Sequence, residues 1–178
     1  SIPPAESVTP QFVRSLQGLR NALYTQTLGT LQDQAEAAGG GVKQVVINNR
    51  IGVLHARFGD LNKAESVFME NIEENPGFIS SYINLANLNL KRGRLDKAAD
   101  ILALGINREP DAPLLNLLLA RTYKLQDRMA EAREQFRKVE TAAPELAARY
   151  ADFIEVEGAE ARAGAEEPEF PFIWADGE

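Results

Sequence analysis

Three prolines at one fixed spacing, Pro76, Pro110 and Pro144, constrain the fold most strongly. Other residues keep the same period: small residues lie 24 and 12 positions before each proline, and a large apolar residue lies eight before it. A branched aliphatic residue precedes the first small one in each copy. We call each set of three equivalent residues, one from each copy, a column; the columns are Ile51, Leu85, Leu119; Gly52, Ala86, Ala120; Ala64, Ala98, Ala132; and Phe68, Leu102, Phe136. Agreement at one period indicates three tandem copies of one structural unit.

The columns suit a pair of packed helices. Small residues let two helix axes approach closely, and the large apolar residues fill the seam between them. Gly59 and Gly93 can end the first helix in the left-handed conformation, and a nearby Asp or Asn can cap the second. Proline then ends the second helix because it has no N–H to donate. The sequence predicts helix-turn-helix copies at 45–78, 79–112 and 113–146.

The motif Gly52…Gly59…Ala64…Phe68…Pro76, with its two echoes, resembles the tetratricopeptide repeat (TPR), a helix-turn-helix unit of about 34 residues. The resemblance covers residues 45–146 and implies an all-α solenoid, a right-handed superhelix. It also implies a concave groove lined by the first helix of each copy. No particular ligand follows from the resemblance.

The flanking segments complete the predicted array. Thr9 and Pro10 begin an amphipathic helix over 10–38, and three glycines then form a linker, so this region spans 9–41. An apolar stripe after Pro144 predicts a capping helix over 147–158. We expect a disordered start over 1–8 and an acidic aromatic tail over 159–178.

The net charge of -7 lies entirely in the last 24 residues, which hold eight acids and one base. Residues 1–154 hold 18 acids and 18 bases. A neutral body with an acidic tail disfavours nucleic acid and anionic membranes as partners. No stretch approaches 18 apolar residues, so no membrane span is expected. The start has no signal-peptide pattern, and its lack of Met suggests a trimmed chain or one cut from a longer protein.

The residue types available exclude most familiar catalysis. The chain has no cysteine and one histidine, His55. It therefore lacks the residues needed for a thiolate nucleophile or a zinc finger, and most of those needed for His-based sites. The glycines before Lys43 do not have the spacing of a phosphate loop. Acidic residues fall mostly among Lys and Arg on polar helix faces. We therefore expect no enzyme activity, cofactor or metal, and a packing role for His55.

The predicted groove is polar and basic with apolar patches. It contains four bases and no acid, which favours an extended ligand with carboxylates and large side chains. The alternative is that these bases only solubilise the face. The predicted groove residues are Asn49, Val53, Arg57, Ile83, Asn87, Leu90, Lys91, Leu117, Arg121, Lys124 and Leu125.

Some TPR proteins hold a C-terminal carboxylate with Lys, Asn and Arg side chains. Asn49 and Asn84 echo that set, but Leu114 and Leu118 stand where bases would be needed, which disfavours a carboxylate clamp. The tail supplies a candidate ligand for the groove. Its motif is Phe170, Phe172, Ile173 and Trp174, in an acidic run with two prolines. The alternative is that the tail packs on its own capping helix.

The leading hypothesis is a non-enzymatic scaffold for protein–protein interaction, which binds an acidic or aromatic segment, or its own or a neighbour's tail, in the groove. A second hypothesis is an assembly element that forms homo-oligomers through helix 10–38 or by tail exchange. A third is the terminal regulatory module of a longer enzyme. The sequence leaves the partner and the compartment open.

Overall fold

The computed structural model describes residues 9–151 and 174–176. Within these residues the secondary structure is helical throughout, as the repeats predict. The helices are α1 Pro10–Ala38, α2 Gly41–Phe58, α3 Leu61–Glu74, α4 Ile79–Lys91, α5 Leu95–Arg108, α6 Pro113–Leu125, α7 Met129–Ala142 and α8 Pro144–Arg149. Each helix packs on its neighbour in the chain, and the inner helices α2 and α6 both touch α4. This is the architecture of an α-solenoid.

The first helical hairpin is longer than the others. The Thr9 hydroxyl accepts a hydrogen bond from the N–H of Phe12 at 3.3 Å, and Pro10 occupies the first helical position. Gly39 ends α1 with a φ of 66°, a left-handed conformation that favours glycine. The chain then reverses at once, and α2 runs back along the C-terminal half of α1.

The turn inside each repeat uses a residue with positive φ. Gly59 and Gly93 fill this position in the first two repeats, with φ of 93° and 69°. The third repeat has Asp127 there, with a φ of 58°. Asp is among the few non-glycine residues that adopt this conformation at modest cost. The weaker third turn in the sequence therefore keeps the backbone geometry of the other two.

Gly52 shows why the small-residue columns are needed. A Cβ atom at this position would lie 2.5 Å from the ring of Phe68, well inside van der Waals contact. Phe68 is fully buried and has little room to move. The corresponding residues Ala86 and Ala120 are also fully buried. Close approach of the paired helices thus depends on the absence of a side chain at Gly52 and on side chains no larger than a methyl group at Ala86 and Ala120.

Side-chain hydrogen bonds repeat with the same period. The Tyr82 hydroxyl donates to the carbonyl of Pro76 at 3.0 Å, and one repeat later the amide of Asn116 donates to the carbonyl of Pro110 at 3.3 Å. Likewise Arg92 donates to Asn62 and Gln126 to Asp96, both at 2.7 Å. Different side chains thus make equivalent contacts in successive repeats, which maintains their relative position.

The core consists of two clusters. The first-repeat cluster comprises Val53, Ala56, Ala64, Phe68, Leu85 and Leu88. The central cluster comprises Tyr82, Ile83, Ala86, Ala99, Leu102, Ala112, Leu115, Leu117, Leu118, Leu119, Ala120, Ala132, Phe136, Val139 and Ala147. Helix α4 contributes to both, and its residues 81–90 are all buried. It is therefore the central helix of the solenoid.

The C-terminal end differs from the predicted arrangement. Helix α8 begins at Pro144, ahead of the predicted capping helix, and ends at Arg149. Proline is favourable in the first turn, where its missing N–H has no helical acceptor, so Pro144 starts a helix as well as following one. Residues 152–158 of that prediction lie outside the described residues, as do the predicted disordered start at 1–8 and residues 159–173 of the tail. Among the described helices, none has the length and hydropathy to cross a membrane.

Candidate binding groove

The inner helices place two asparagines side by side. Asn49 projects from α2 and Asn84 from α4, and both side chains are fully buried. The Asn84 amide donates to the Asn49 Oδ1 at 2.9 Å. Burying two amides is costly unless their donors and acceptors are paired. The remaining polar atoms of this pair need partners, and the tail supplies them.

Ala175 bonds to this asparagine pair through its backbone. Its N–H donates to the Oδ1 of Asn84 at 2.8 Å. Its carbonyl accepts from the Nδ2 of Asn84 at 2.8 Å and from the Nδ2 of Asn49 at 2.6 Å. Both amide oxygens, both amide nitrogens and both backbone groups of Ala175 are thereby paired. Because each amide oxygen accepts and each amide nitrogen donates within the network, the orientation of both amides is defined by it.

Within tail residues 174–176, the hydrogen bonds to the asparagine pair all come from the backbone of Ala175. The pair therefore bonds to a backbone N–H and C=O, which every residue except proline carries. An asparagine amide matches a peptide group in having one donor side and one acceptor side. The arrangement can therefore hold an extended segment irrespective of the side chain at the position of Ala175, provided that the side chain fits.

Trp174, next in the tail, packs against the first-repeat cluster. Its ring lies 6.5 Å from the ring of Phe68, centroid to centroid, at an interplanar angle of 23°. An offset stack of this kind adds to the gain from apolar burial. Ala175 packs against the central cluster. Trp174 thus packs on the first-repeat cluster and Ala175 on the central cluster, at the junction of α2, α3 and α4.

The predicted groove residues fall into several environments. Asn49 bonds to Ala175, and Val53 belongs to the cluster beneath Trp174. Ile83 and Leu117 belong to the central cluster, whereas Leu90 is buried outside both. The exposed members are Arg57, Lys91 and Leu125. Asn87, Arg121 and Lys124 each make at least one further interaction. Of the predicted tail motif, Phe170, Phe172 and Ile173 lie outside the described residues.

Sequence reasoning left two contributors out of the groove. Asn84 appeared only as an echo of a carboxylate clamp, and Phe68 appeared only as a repeat column. A signal for Asn84 was present, because α4 carries Asn84, Asn87 and Asn89 among apolar residues. Amides within a helix that is buried on all sides require partners. The repeat period gave no sign that Phe68 contacts the tail, because the ring that fills the seam between the repeat helices also packs against Trp174.

His55 lies on the opposite side of α2, beneath α1. It is buried, and its Nδ1 lies 2.8 Å from the hydroxyl oxygen of Tyr24. Burial lowers the pKa of His55 below its ordinary value of 6.5, opposed by the charge of Asp60 and reinforced by that of Lys63. These contacts describe a histidine that joins two helices. Among residues 9–151 and 174–176, acidic and histidine side chains form no cluster suited to a metal.

Comparison with known proteins agrees with this geometry. A tetratricopeptide repeat family profile matches residues 115–146, which lie within the third repeat. No curated protein matches the chain significantly in sequence.

Several solved structures share the fold. The Yersinia enterocolitica type III secretion chaperone SycD, in complex with a peptide of the translocator YopD, has a TM-score of 0.56 at 16% identity, over 61% of this chain and 87% of that one. The first TPR of Spaghetti (RPAP3), bound to the HSP90 peptide SRMEEVD, has 0.58 at 13% identity, over 70% and 97%. MamA from Desulfovibrio magneticus RS-1 has 0.59 at 19% identity, over 79% and 78%.

The stacked helix pairs and the inner groove define an α-solenoid. The profile match places a tetratricopeptide repeat at residues 115–146, and the chain shares the fold of solved tetratricopeptide repeat structures.

Proposed function

We propose that the groove binds an extended peptide that has a large aromatic residue followed by a small one, and that the chain acts as a non-enzymatic scaffold. The observation that carries this proposal is the hydrogen-bond network joining Asn49 and Asn84 to the backbone of Ala175. Both amides are buried, and their partner Ala175 is 126 residues from Asn49 and 91 residues from Asn84 along the chain. We infer that these asparagines are placed to hold peptide backbone.

Affinity and selectivity have different sources in this proposal. The asparagine pair supplies hydrogen bonds to any backbone, much as a sheet edge does for an added strand. The apolar contact at Trp174 supplies selectivity, since only a large flat side chain can cover Phe68 in this way. Ala175 packs against the central cluster, which favours a small side chain there.

Charge favours an acidic ligand. Residues 166–178 contain five acids and no base, while the predicted groove residues contain four bases and no acid. Attraction of this kind increases the association rate and orients the ligand. The tail of the same chain or of a neighbour is the occupant we propose first, and an external segment with the same pattern would compete with it. The peptides bound to SycD and to the Spaghetti (RPAP3) repeat support peptide binding by this fold in general.

The proposal is tested with a chain that ends at Gly164 and a fluorescently labelled peptide of residues 166–178. We expect saturable binding by fluorescence anisotropy. Replacing Trp174 by Ala in the peptide should weaken binding about tenfold or more, because burial of a large aromatic contributes about 1.5–3 kcal/mol. Binding that is unchanged by this replacement would exclude the Trp174 contact as a source of selectivity.

A second peptide isolates the backbone contact. Methylation of the Ala175 backbone nitrogen removes the donor to Asn84 and leaves the side chains intact. We expect a loss of about five- to tenfold or more, since an unpaired buried acceptor costs about 1–3 kcal/mol. The matched control is the same methylation at Glu166, which should leave affinity unchanged. In the protein, Asn84→Asp should weaken binding, whereas Asn107→Asp, an exposed position on α5, should not.

A further inference from the structure

The N-terminal part of α1 extends beyond the body of the solenoid. Arg20 donates to the carbonyl of Phe58, the last residue of α2, so residues 10–19 project past the end of that helix. Ten helical residues span about 15 Å. Residues 10–23 are all exposed. We call this segment, 10–23, the α1 overhang; its apolar side chains are Phe12, Val13, Leu16, Leu19 and Leu23.

The overhang presents an apolar stripe. Phe12, Leu16, Leu19 and Leu23 recur at intervals of four, three and four residues, which places them on one face of the helix. Leu19 is 68% exposed. Exposed apolar stripes of this length mark interaction surfaces. The overhang also carries Arg14 and Arg20 and no acid, so its charge is positive.

A second apolar surface lies on the outer face, between α3 and α5. This outer cleft has a volume of 340 Å³, with Met69, Ile72, Ile101 and Leu104 in its lining. Leu104 is 57% exposed. Its charged lining residues are three acids, Glu65, Glu73 and Asp100, and one base, Lys97, and α3 as a whole carries four acids and one base. The outer cleft is therefore apolar with an acidic surround.

We propose that the α1 overhang of one chain binds in the outer cleft of a second copy, so that copies associate head to tail. The two surfaces match in chemistry: a basic helix with an apolar stripe meets an apolar cleft beside an acidic helix. Their lengths also match, since the overhang is as long as each of the two helices, α3 and α5, that border the cleft. The overhang cannot fill the cleft of its own chain, because contacts of Tyr24 with His55 and Phe58 hold α1 on α2.

This arrangement goes beyond groove binding and uses none of the groove residues. Because the two surfaces differ, the contact is heterologous, and copies add in one direction until the chain of copies closes or is capped. Pairing of two overhangs would instead bring together two segments of like net charge, since each carries two bases and no acid. Like charges at that contact disfavour it.

The test measures molar mass by light scattering over a range of concentrations, using the full chain. We expect the wild-type mass to rise with concentration. Leu19→Glu disables the overhang, and Leu104→Glu disables the cleft; each variant alone should remain monomeric, with association weakened at least tenfold. Both side chains are exposed, so the fold should be retained, which circular dichroism verifies. An equimolar mixture of the two variants should form dimers, because one intact overhang meets one intact cleft.

Two controls separate this contact from others. Val42→Glu changes an apolar residue that is 74% exposed but lies outside both surfaces, and it should associate like wild type. Asn84→Asp impairs the proposed tail contact and should also associate like wild type, so tail exchange is distinguished. A wild-type chain that stays monomeric at every concentration would overturn the proposal. The proposal would also be overturned if Leu104→Glu still self-associates and Leu19→Glu does not, because two overhangs would then pair with each other.

Discussion

Helix α4 and the α1 overhang have similar apolar sequences but opposite environments. Residues 81–90 of α4 are buried without exception, while residues 10–23 of α1 are all exposed. Helix α4 has neighbours on several sides, namely α2, α3, α5 and α6, and the tail adds Asn84 contacts. Residues 10–19 of the overhang extend past the end of α2, and Arg20 contacts Phe58 at that end. Burial therefore follows from position in the array more than from the apolar content of the helix.

The opposite environments of α4 and the overhang affect different types of residue. Complete burial of α4 makes its amides dependent on specific partners, so its polar residues locate the groove. Exposure of the overhang leaves its apolar residues without partners among the described residues, so they indicate an intermolecular contact. In each region the residue type that does not fit its surroundings marks the surface that we propose to be functional.

Matched leucine truncations give the largest expected contrast. Leu88→Ala on α4 removes a fully buried side chain and should cost about 2–5 kcal/mol in the free energy of unfolding. Leu19→Ala on the overhang should change it by less than about 0.5 kcal/mol when the protein is dilute. Urea unfolding followed by circular dichroism measures both. Equal losses would show that the overhang is packed in solution.

Gly52→Ala tests the close packing beneath the groove. The new methyl group would meet the ring of Phe68, and overpacking of this kind costs about 1–3 kcal/mol. Helix propensity opposes part of this loss, since Ala is favoured over Gly by about 1 kcal/mol. We expect lower stability together with a change in the fluorescence of Trp174, which stacks on Phe68. The exposed substitution Gly18→Ala, which meets no neighbouring atom, should instead stabilise the helix.

The free energy of unfolding should depend on pH through His55, which joins α2 to α1. The pKa of His55 is lowered by burial, so the unfolded chain binds a proton more readily than the folded one. Stability from this group is intact above its unfolded pKa and falls as the pH drops below 6.5 towards the folded pKa. Urea unfolding on both sides of that pH should show the loss. His55→Gln should show a shallower dependence; an identical slope would exclude His55 as its cause.

Charge reversal at the groove has the smallest expected effect. Replacing both Arg121 and Lys124 by Glu should weaken binding of the 166–178 peptide several-fold at low salt. The difference should shrink at high salt, because exposed charges more than about 10 Å apart are largely screened at 0.1 M. Peptide anisotropy at two salt concentrations measures it. Equal affinity of the two proteins at low salt would exclude an electrostatic contribution from these residues.

The repeat architecture was readable from the sequence because packing imposes it at a fixed period. Gly52 could be assigned to a close helix contact, and the turn at Gly59 to a left-handed residue, because few residue types satisfy those positions. The α-solenoid fold follows from such constraints. They act within one repeat or between neighbours, where sequence spacing and spatial proximity coincide.

The groove was less predictable because its contacts join distant segments. Asn49 could be predicted as a groove residue because it lies on the inner helix of a repeat. The pairing of Asn84 with Ala175 spans 91 residues and leaves no periodic signal. For α1, periodicity predicted an amphipathic helix. It could not show where α2 ends beside α1, and that end determines which apolar residues are left exposed.

The central claim is that Asn84 holds the tail through its backbone, and the fluorescence of Trp174 tests it most directly. Trp174 is the only tryptophan in the chain, so its emission reports one site. We predict that the full wild-type chain shows blue-shifted emission and protection from a soluble quencher. Asn84→Asp, which places a carboxylate against the Ala175 carbonyl, should shift the emission to the red and increase quenching, while Asn107→Asp should not. The same emission and quenching in wild type and Asn84→Asp would contradict the account.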